Sequence, residues 1–158
     1  MYSVFLMRGD GLLAGRMIAV FVSVGCVLVV VIALRAWPII NVVETGRTPE
    51  YPDIKPHVYR AGADQVFDAA LHAVHRMPRW SLVSHQPATG EIRAEASTLV
   101  WRFVDDILIR VRVRAGDAVV EVRSSSRVGR GDFGQNARNI RSFLQELDRQ
   151  VAEASTHR

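Results

Sequence analysis

An uncharged apolar run near the amino terminus is the feature that most constrains this 158-residue chain. Met17 to Leu34 comprises 18 residues without a charged side chain, bounded by Arg16 and Arg35. Twelve of the 18 are Val, Ile, Leu or Phe, and this content favours insertion into a bilayer by about 4 to 7 kcal/mol. Because the backbone in lipid must satisfy its own hydrogen bonds, such a segment is helical there. We predict a transmembrane helix over residues 17–37, with Trp37 as an interfacial aromatic.

A cleaved signal peptide and a lipoprotein signal are alternative interpretations of this run. The residues at its end, Ala33 to Ala36, make a poor small-x-small cleavage site. Ser23 to Cys26 resembles a lipidation box, but eight further apolar residues follow Cys26, which a lipidated mature terminus does not need. We therefore favour an uncleaved, single-pass anchor in the cell inner membrane. The flanking arginines are nearly balanced, so the short tail of residues 1–16 decides the orientation: we expect it inside, with the globular domain on the non-cytoplasmic side.

Composition separates the rest of the chain into a linker and one domain. Residues 38–56 contain four of the six prolines and little apolar periodicity, which predicts a stiff extended linker. A globular domain is expected over residues 57–154. After residue 40 the chain carries 17 Lys and Arg against 15 Asp and Glu, so this domain has little net charge. Nucleic acid is therefore not a predicted partner. Cys26 is the only cysteine, which excludes an intrachain disulfide.

Two helices are predicted in the domain from apolar side chains spaced three and four residues apart. The first runs from Asp64, as its cap, to about Met77, just before a proline. The second follows Asp132, which can cap it and form a capping box with Gln135 three residues later. Each helix has one apolar face, so we expect both to pack on a sheet.

The strands are predicted from alternation of apolar and polar side chains. We expect strands at residues 57–61, 80–85, 91–97, 99–104, 107–114 and 119–128, with Asp105 and Asp106 forming a turn. Consecutive short strands joined by tight turns are typical of an antiparallel meander. The predicted fold class is α+β: an antiparallel meander sheet with two helices packed on one face, preceded by a single transmembrane helix.

The segment RSSSRVGRGDFGQNARNI, near the carboxyl end, resembles the family known as domain of unknown function 1499. The matching positions are Arg102, Phe103, Val104, Asp105, Asp106, Arg123, Ser124, Ser126, Arg127, Gly129, Asp132, Gly134, Asn136 and Arg138, and Pro78, Arg79, Trp80 and residues 88–94 fit as well. The resemblance spans about residues 57–150. It implies a small protein, often exported or anchored, with no established substrate, and it supplies no catalytic residue.

Gly129 to Gly134 matches the pattern G-x-G-x-x-G between a predicted strand and a predicted helix. A dinucleotide site also needs a second parallel strand with an acidic residue at its tip, which the sequence lacks, and Asp132 would repel a pyrophosphate. We expect the glycines to serve the turn and predict no cofactor. His72 and His75 lie one helical turn apart without a zinc-spaced cysteine pair or an H-E-x-x-H motif, so no metal site is predicted.

The outer face of the predicted sheet is rich in arginine. Seven arginines fall on it against three glutamates: Arg93, Arg102, Arg110, Arg112, Arg114, Arg123 and Arg127, against Glu91, Glu95 and Glu121. Guanidinium groups suit phosphate and carboxylate, so an anionic lipid or an anionic envelope polymer is a candidate partner of this face. The alternative is a solvated face whose charges pair across strands, each pair contributing less than about 1 kcal/mol.

A polar set clusters in the family-like motifs: Asp105, Asp106, Arg123, Ser124, Ser126, Arg127, Asp132 and Asn136. An Asp pair beside Arg and Ser suits acid–base chemistry or ligand binding, whereas the structural interpretation is capping, turn formation and backbone hydrogen bonding. Alternation places Arg123 and Ser124 on opposite faces, so the whole set cannot converge. The sequence has no nucleophile elbow and no phosphate-binding loop, and no catalytic residue is predicted.

These observations favour a membrane-anchored envelope protein that acts as a non-enzymatic binding or structural module. Its candidate ligand-binding residues are Arg102, Asp105, Asp106, Arg110, Arg112, Arg123, Ser124, Ser126, Arg127, Asp132 and Asn136. The expected partner of residues 17–37 is the lipid bilayer. An enzyme of unrecognised type that uses the polar set is one alternative. An accessory subunit that binds other membrane proteins is the other, because Ser23 and Gly25 allow close helix contact.

Overall fold

The computed structural model describes residues 10–35, 39–98 and 103–156. The chain divides into two compact units, Met1–Pro38 and Ile39–Arg158. In the first unit, helix α1 (Asp10–Arg35) contains the stretch Gly15–Ile32, whose mean hydropathy is 2.5. At 1.5 Å per residue, this helix is long enough to cross a hydrocarbon layer of roughly 30 Å. By length and composition it is a possible membrane span, and a signal sequence would have the same properties.

The boundaries of α1 differ from those predicted. Residues 10–16 were expected in a tail but belong to the helix, whereas residues 1–9 and Trp37 lie outside the described residues. Ser23 carries the only hydroxyl group between Gly15 and Ile32, and it donates a hydrogen bond to the Ala19 carbonyl at 2.8 Å. This side chain therefore brings no unpaired donor into an apolar environment.

The second unit confirms the predicted α+β class. Its elements are β1 (Val42–Glu44), β2 (His57–Tyr59), α2 (Ala63–Arg76), β3 (Trp80–Gln86), β4 (Glu91–Ser97), β5 (Val104–Arg114), β6 (Asp117–Ser126) and α3 (Gln135–Thr156). The sheet is antiparallel with strand order β1-β6-β5-β4-β3, and β2 also pairs with β6. The strands β3 to β6 form the expected meander.

Both α2 and α3 cover the same face of the sheet, as predicted. Alternate strand residues point toward the helices and are buried, including Ile92, Ala94, Ala96, Ile107, Ile109, Val120 and Val122. The helices contribute Val66, Phe67, Val74, Ile140, Phe143 and Leu147 to this core. The rings of Trp80 and Phe143 stack with their centroids 5.7 Å apart. The opposite, outer face of the meander carries most of the charged side chains of these strands.

The prediction of a linker over residues 38–56 is wrong for the described residues 39–56. Val42–Glu44 forms β1, which pairs with the end of β6, and the side chains of Val43 and Ile54 are buried in the core. The ring of Tyr51 lies beneath the guanidinium of Arg141, 5.3 Å from its carbon. Prolines in this segment shape loops between contacts with the core, so the domain begins at Ile39 and not at residue 57.

Two local predictions are also corrected. Asp105 and Asp106 do not form a turn, because β5 runs without interruption from Val104 and pairs them with Ser126 and Ser125 of β6. The other part of the predicted 99–104 strand, residues 99–102, lies outside the described residues. Helix α2 begins after Gly62 with no side-chain cap, so Asp64 lies in its first turn and is not its cap.

Candidate ligand-binding site

The start of α3 is fixed by Asp132, as the sequence predicted. Its Oδ1 accepts the backbone N–H of Gly134 at 2.9 Å, and its Oδ2 accepts that of Asn136 at 2.6 Å. Gln135 does not complete the expected capping box, because the Asp132 N–H donates to the Ile40 carbonyl and Gln135 Oε1 accepts from Arg138 instead. Since the Asp132 carboxylate takes donors that a phosphate would need, the G-x-G-x-x-G segment acts as a turn.

The turn between β6 and α3 bends through left-handed backbone conformations. Gly129 and Gly134 have φ of 92° and 75°, and Phe133 has φ of 49°. For a bulky side chain this conformation is unusual and strained. The turn is tied to the start of the domain, because the Asn41 amide donates to the Gly129 carbonyl at 3.1 Å and the Asp132 N–H donates to the Ile40 carbonyl.

Behind the turn, asparagines of α3 form a buried polar network with the end of β6. The Ser124 hydroxyl donates to Asn136 Oδ1 at 2.6 Å. The Asn136 amide in turn donates to the Asn41 carbonyl at 2.9 Å and to Ser126 Oγ at 3.0 Å. Asn139 donates to Asp105 Oδ2 at 2.9 Å and to Ser124 Oγ at 3.3 Å. A fully bonded network of this kind fixes the position of every group in it.

Asp105 is the buried acid of this network, with only 2% of its surface exposed. Burial raises the pKa of its carboxyl group above the usual range, and the negative charges of Asp132 and Asp106 act in the same direction. Hydrogen bonds from Ser126 and Asn139 to the carboxylate partly oppose this effect. The ionised carboxylate is therefore disfavoured where it stands, and a ligand donor that faces it would offset part of that cost.

A pocket of about 450 Å³ opens beside this acid. Its lining residues come from the strand ends, the turn and the first turn of α3: Thr98, Phe103, Asp105, Ser126, Val128, Gly129, Gly131, Asp132, Phe133, Gln135 and Arg138. Phe103, Val128 and Phe133 form an apolar rim and are all exposed. The Arg138 guanidinium donates to the Phe133 carbonyl and to Gln135 Oε1, at 3.0 and 3.1 Å. The pocket therefore combines an apolar rim with a polar floor.

The structure brings only part of the predicted polar set together. Asp105, Ser126 and Asp132 line the pocket, and Ser124 and Asn136 support it from behind. Asp106, Arg123 and Arg127 lie on the outer face of the sheet. The prediction that Arg123 and Ser124 point to opposite faces is confirmed by their burial, since Ser124 is fully buried and Arg123 is not. Arg102 lies outside the described residues.

On the outer face, the described arginines are largely neutralised by neighbouring carboxylates. Arg110 contacts Glu91 at 3.1 Å, and Arg114 contacts Glu121 at 2.9 Å. Arg127 bridges Asp106 and Glu95, and Arg93 lies 3.6 Å from Glu91. Within the described residues, Arg112 and Arg123 have no carboxylate within 4.0 Å. The cross-strand pairing that the sequence left open as an alternative is therefore observed for most of this face.

Several pocket residues were not singled out from the sequence as candidates. Phe103, Val128, Phe133, Asn139 and Arg138 contribute its rim, its support and its side wall. Asn136 and Asn139 are spaced by three residues on the stripe of α3 that carries Ile140 and Phe143. Polar residues on an apolar stripe are the signal from which a buried network could have been predicted. Within residues 10–35, 39–98 and 103–156, no group of three or more His, Cys, Asp or Glu could hold a metal ion.

Comparisons with known proteins place the chain by family and by fold. The sequence model of a family described as "Protein of unknown function (DUF1499)" matches residues 34–147. Comparison with curated protein sequences found no match. A solved structure titled "Crystal structure of Ara h 8.0201" is similar with a TM-score of 0.52 and 6% identity, covering 74% of this chain and 98% of that one. The crystal structure of a Thermus thermophilus protein, TTHA0849, has a TM-score of 0.40 and 11% sequence identity, and the match covers 72% of this chain and 99% of that one. At 6% identity, the first likeness concerns the fold alone.

Proposed function

The chain belongs to the DUF1499 family of proteins of unknown function, and from this premise we propose that it is a membrane-anchored, non-enzymatic binding module. Its ligand occupies the pocket beside Asp105. One observation carries the proposal: an opening of about 450 Å³ has exposed apolar side chains at its rim and a buried carboxyl group at its floor. Pockets that bind small molecules have this size and this combination of apolar walls with few polar groups.

The charges at the floor select the ligand chemistry. Asp105 and Asp132 are both carboxylates, and Asp132 is already neutralised in part by the N–H groups of α3. An anionic group placed beside Asp105 would be repelled, whereas an amine or a hydroxyl would donate to it. The best-matched ligand is therefore an amphiphile with an apolar body against Phe103, Val128 and Phe133 and a donor group, preferably cationic, at Asp105.

Binding is favoured over catalysis by the kinds of residue that line the pocket. Among the described lining residues none is His, Lys, Cys or Tyr, the side chains that most often act as bases or nucleophiles near neutral pH. Ser126 Oγ accepts from the Asn136 amide, and no imidazole or amine group lies among the described lining residues to activate its hydroxyl group as a nucleophile. The outer face gives weaker support to anion binding, because carboxylates compensate most of its arginines.

Replacement of Phe133 tests the pocket. Asn tolerates the left-handed backbone that Phe133 adopts, so Phe133→Asn removes the apolar ring and keeps the turn. Binding of the neutral fluorophore N-phenyl-1-naphthylamine to residues 39–158 is measured by fluorescence titration. We expect saturable binding to the natural domain and at least tenfold weaker binding to the variant, since an apolar side chain of this size contributes about 1.5–3 kcal/mol and about 1.4 kcal/mol is tenfold.

Val113→Asn is the matched control, because Val113 is as exposed as the rim but lies at the other end of β5. It should bind the fluorophore like the natural domain. Decylamine should displace the fluorophore at lower concentration than decanoate, because only the amine complements Asp105. Absence of saturable binding, or equal weakening by both substitutions, would remove the proposed site.

A further inference from the structure

The apolar rim of the pocket is a strongly exposed apolar surface in the domain. Phe133 is 63% exposed and Val128 is 62% exposed, and both flank Phe103 around one opening. Ile39, 80% exposed, belongs to the same surface: a Cβ atom on Gly131 would lie 3.8 Å from its Cα and its Cγ2. Four large apolar side chains therefore share one end of the domain, and contiguous exposed apolar groups mark a surface that contacts something else.

The backbone holds this surface in place against local preference. Phe133 adopts the left-handed conformation although it is neither glycine nor asparagine, and such strain persists only where surrounding contacts enforce it. Hydrogen bonds hold the backbone before and after the Phe133 side chain. The Asp132 N–H donates to the Ile40 carbonyl at 3.1 Å, and the Phe133 carbonyl accepts from Arg138 at 3.0 Å. An exposed aromatic ring is thus presented outward by a fixed turn.

The position of this surface in the chain indicates what covers it. Only residues 36–38 separate Arg35, the last residue of α1, from Ile39. At no more than 3.6 Å per residue, four steps of chain allow at most about 14 Å between the Cα atoms of those two residues. If α1 spans a bilayer, the rim therefore begins close to the lipid headgroups. Arg130, exposed in the same turn, adds a cation of the kind that favours an anionic lipid surface.

We infer that the rim formed by Ile39, Phe103, Val128 and Phe133 inserts into the interface of the bilayer, so that the pocket receives its ligand from the lipid phase. This inference rests on the proposed function, because it requires α1 as an anchor. The apolar face of an interfacial helix lies about 5–10 Å deep in the boundary between headgroups and acyl chains, and the rim presents apolar groups of the same kind with Arg130 beside them. The ligand class is then an amphiphile that already resides in the membrane.

Spin labels on two matched valines test the insertion in the full-length chain. In a Cys26→Ser background, which removes the only natural cysteine, one label is placed by Val128→Cys and the control by Val113→Cys. The two valines are 62% and 64% exposed, and Val113 lies nine residues along β5 from the pocket end, about 30 Å away. Each protein is reconstituted in vesicles of phosphatidylcholine with phosphatidylglycerol, and the accessibility of each label to oxygen and to a water-soluble nickel chelate is measured.

We expect the oxygen-to-nickel accessibility ratio to be several-fold higher at position 128 than at position 113. A label introduced by Phe133→Cys should give the same result as position 128, which covers the case that one variant misfolds. Equal, water-like ratios at all three positions would overturn the inference. Alkaline carbonate extraction of the same vesicles separates the two failures: a retained chain with water-like labels refutes only the insertion, whereas a released chain refutes the anchor as well.

Discussion

Asp105 is a buried carboxyl group in β5 that the strand does not need for its own stability. It occupies an inward position of β5 where the neighbouring inward residues, Ile107 and Ile109, are apolar. Burial there disfavours the ionised carboxylate and raises its pKa, and Asn139 and Ser126 reduce that cost by donating hydrogen bonds. A buried acid that lines an open pocket is a candidate for contact with a ligand, because the apolar core gains nothing from its charge.

The raised pKa of Asp105 gives a pH-dependent stability of known sign. Between the ordinary and the raised pKa, the folded protein binds more protons than the unfolded chain, so the free energy of unfolding falls as pH rises through this window. Asp105→Asn removes that titration. Relative to the natural domain, the variant should therefore become more stable as pH rises from about 4, near the ordinary pKa of Asp. Urea unfolding of residues 39–158 at a series of pH values measures the difference, and a difference independent of pH would contradict the burial argument.

For single residues, the sequence predicted which face of the sheet a side chain occupies. It did not predict which residues of another strand lie beside it. Alternation correctly separated Arg123 from Ser124, because it depends only on the two-residue repeat of a strand. Two consecutive aspartates suggested a turn, since Asp is common in turns, but pairing with Ser125 and Ser126 keeps Asp105 and Asp106 in β5. That pairing joins residues far apart in the sequence and leaves no local signal.

Among the elements, β1 and the loop that follows it complete the sheet and the core. Val43 pairs with Ser124, and Asn41 supplies a carbonyl to the buried amide of Asn136. Arg141 of α3 forms a two-bond ion pair with Asp53, with N–O distances of 2.8 and 3.0 Å. The family match, which begins at residue 34, includes this segment. These contacts join residues 39–56 to the same end of the sheet that forms the pocket.

A pair of fragments tests the role of this segment. Residues 39–158 should unfold cooperatively, whereas residues 57–158 should be less stable by several kcal/mol, because burial of Val43 and of Ile54 contributes about 1.5–3 kcal/mol each. Urea unfolding followed by circular dichroism compares the two. Equal midpoints and equal slopes would restore the interpretation of residues 38–56 as a linker.

The sequence wrongly predicts a linker over residues 38–56 because the signals in this segment are short and mixed. Its one strand has three residues, too few for alternation to be recognised, and the prolines around it are typical of extended linkers as well as of loops. Longer elements were predicted well: β4 has the expected bounds, and α3 starts beside its expected cap. Periodicity is informative only over several repeats, so it finds helices and long strands before it finds a short edge strand.

For the whole molecule, the sequence predicted the sheet and the helices that cover it. It did not predict the pocket that forms where the strand ends meet the turn before α3. The meander, the two helices on one face and the apolar helix α1 each follow from a periodic or continuous pattern. The pocket combines the start of β5, the end of β6 and the turn before α3, and its rim residues are isolated apolar positions in polar surroundings. Such a site depends on how the elements assemble, and no single stretch of the chain encodes it.

Both proposals depend on α1 holding the domain at a bilayer, and one measurement tests this most directly. Cell membranes containing the full-length protein are washed with alkaline carbonate, and the intact mass of the protein is determined in the pellet and in the supernatant. The expected result is a chain in the pellet that retains residues 10–35. A chain released by the wash, or one cleaved after α1 as a signal sequence would be, would contradict the account.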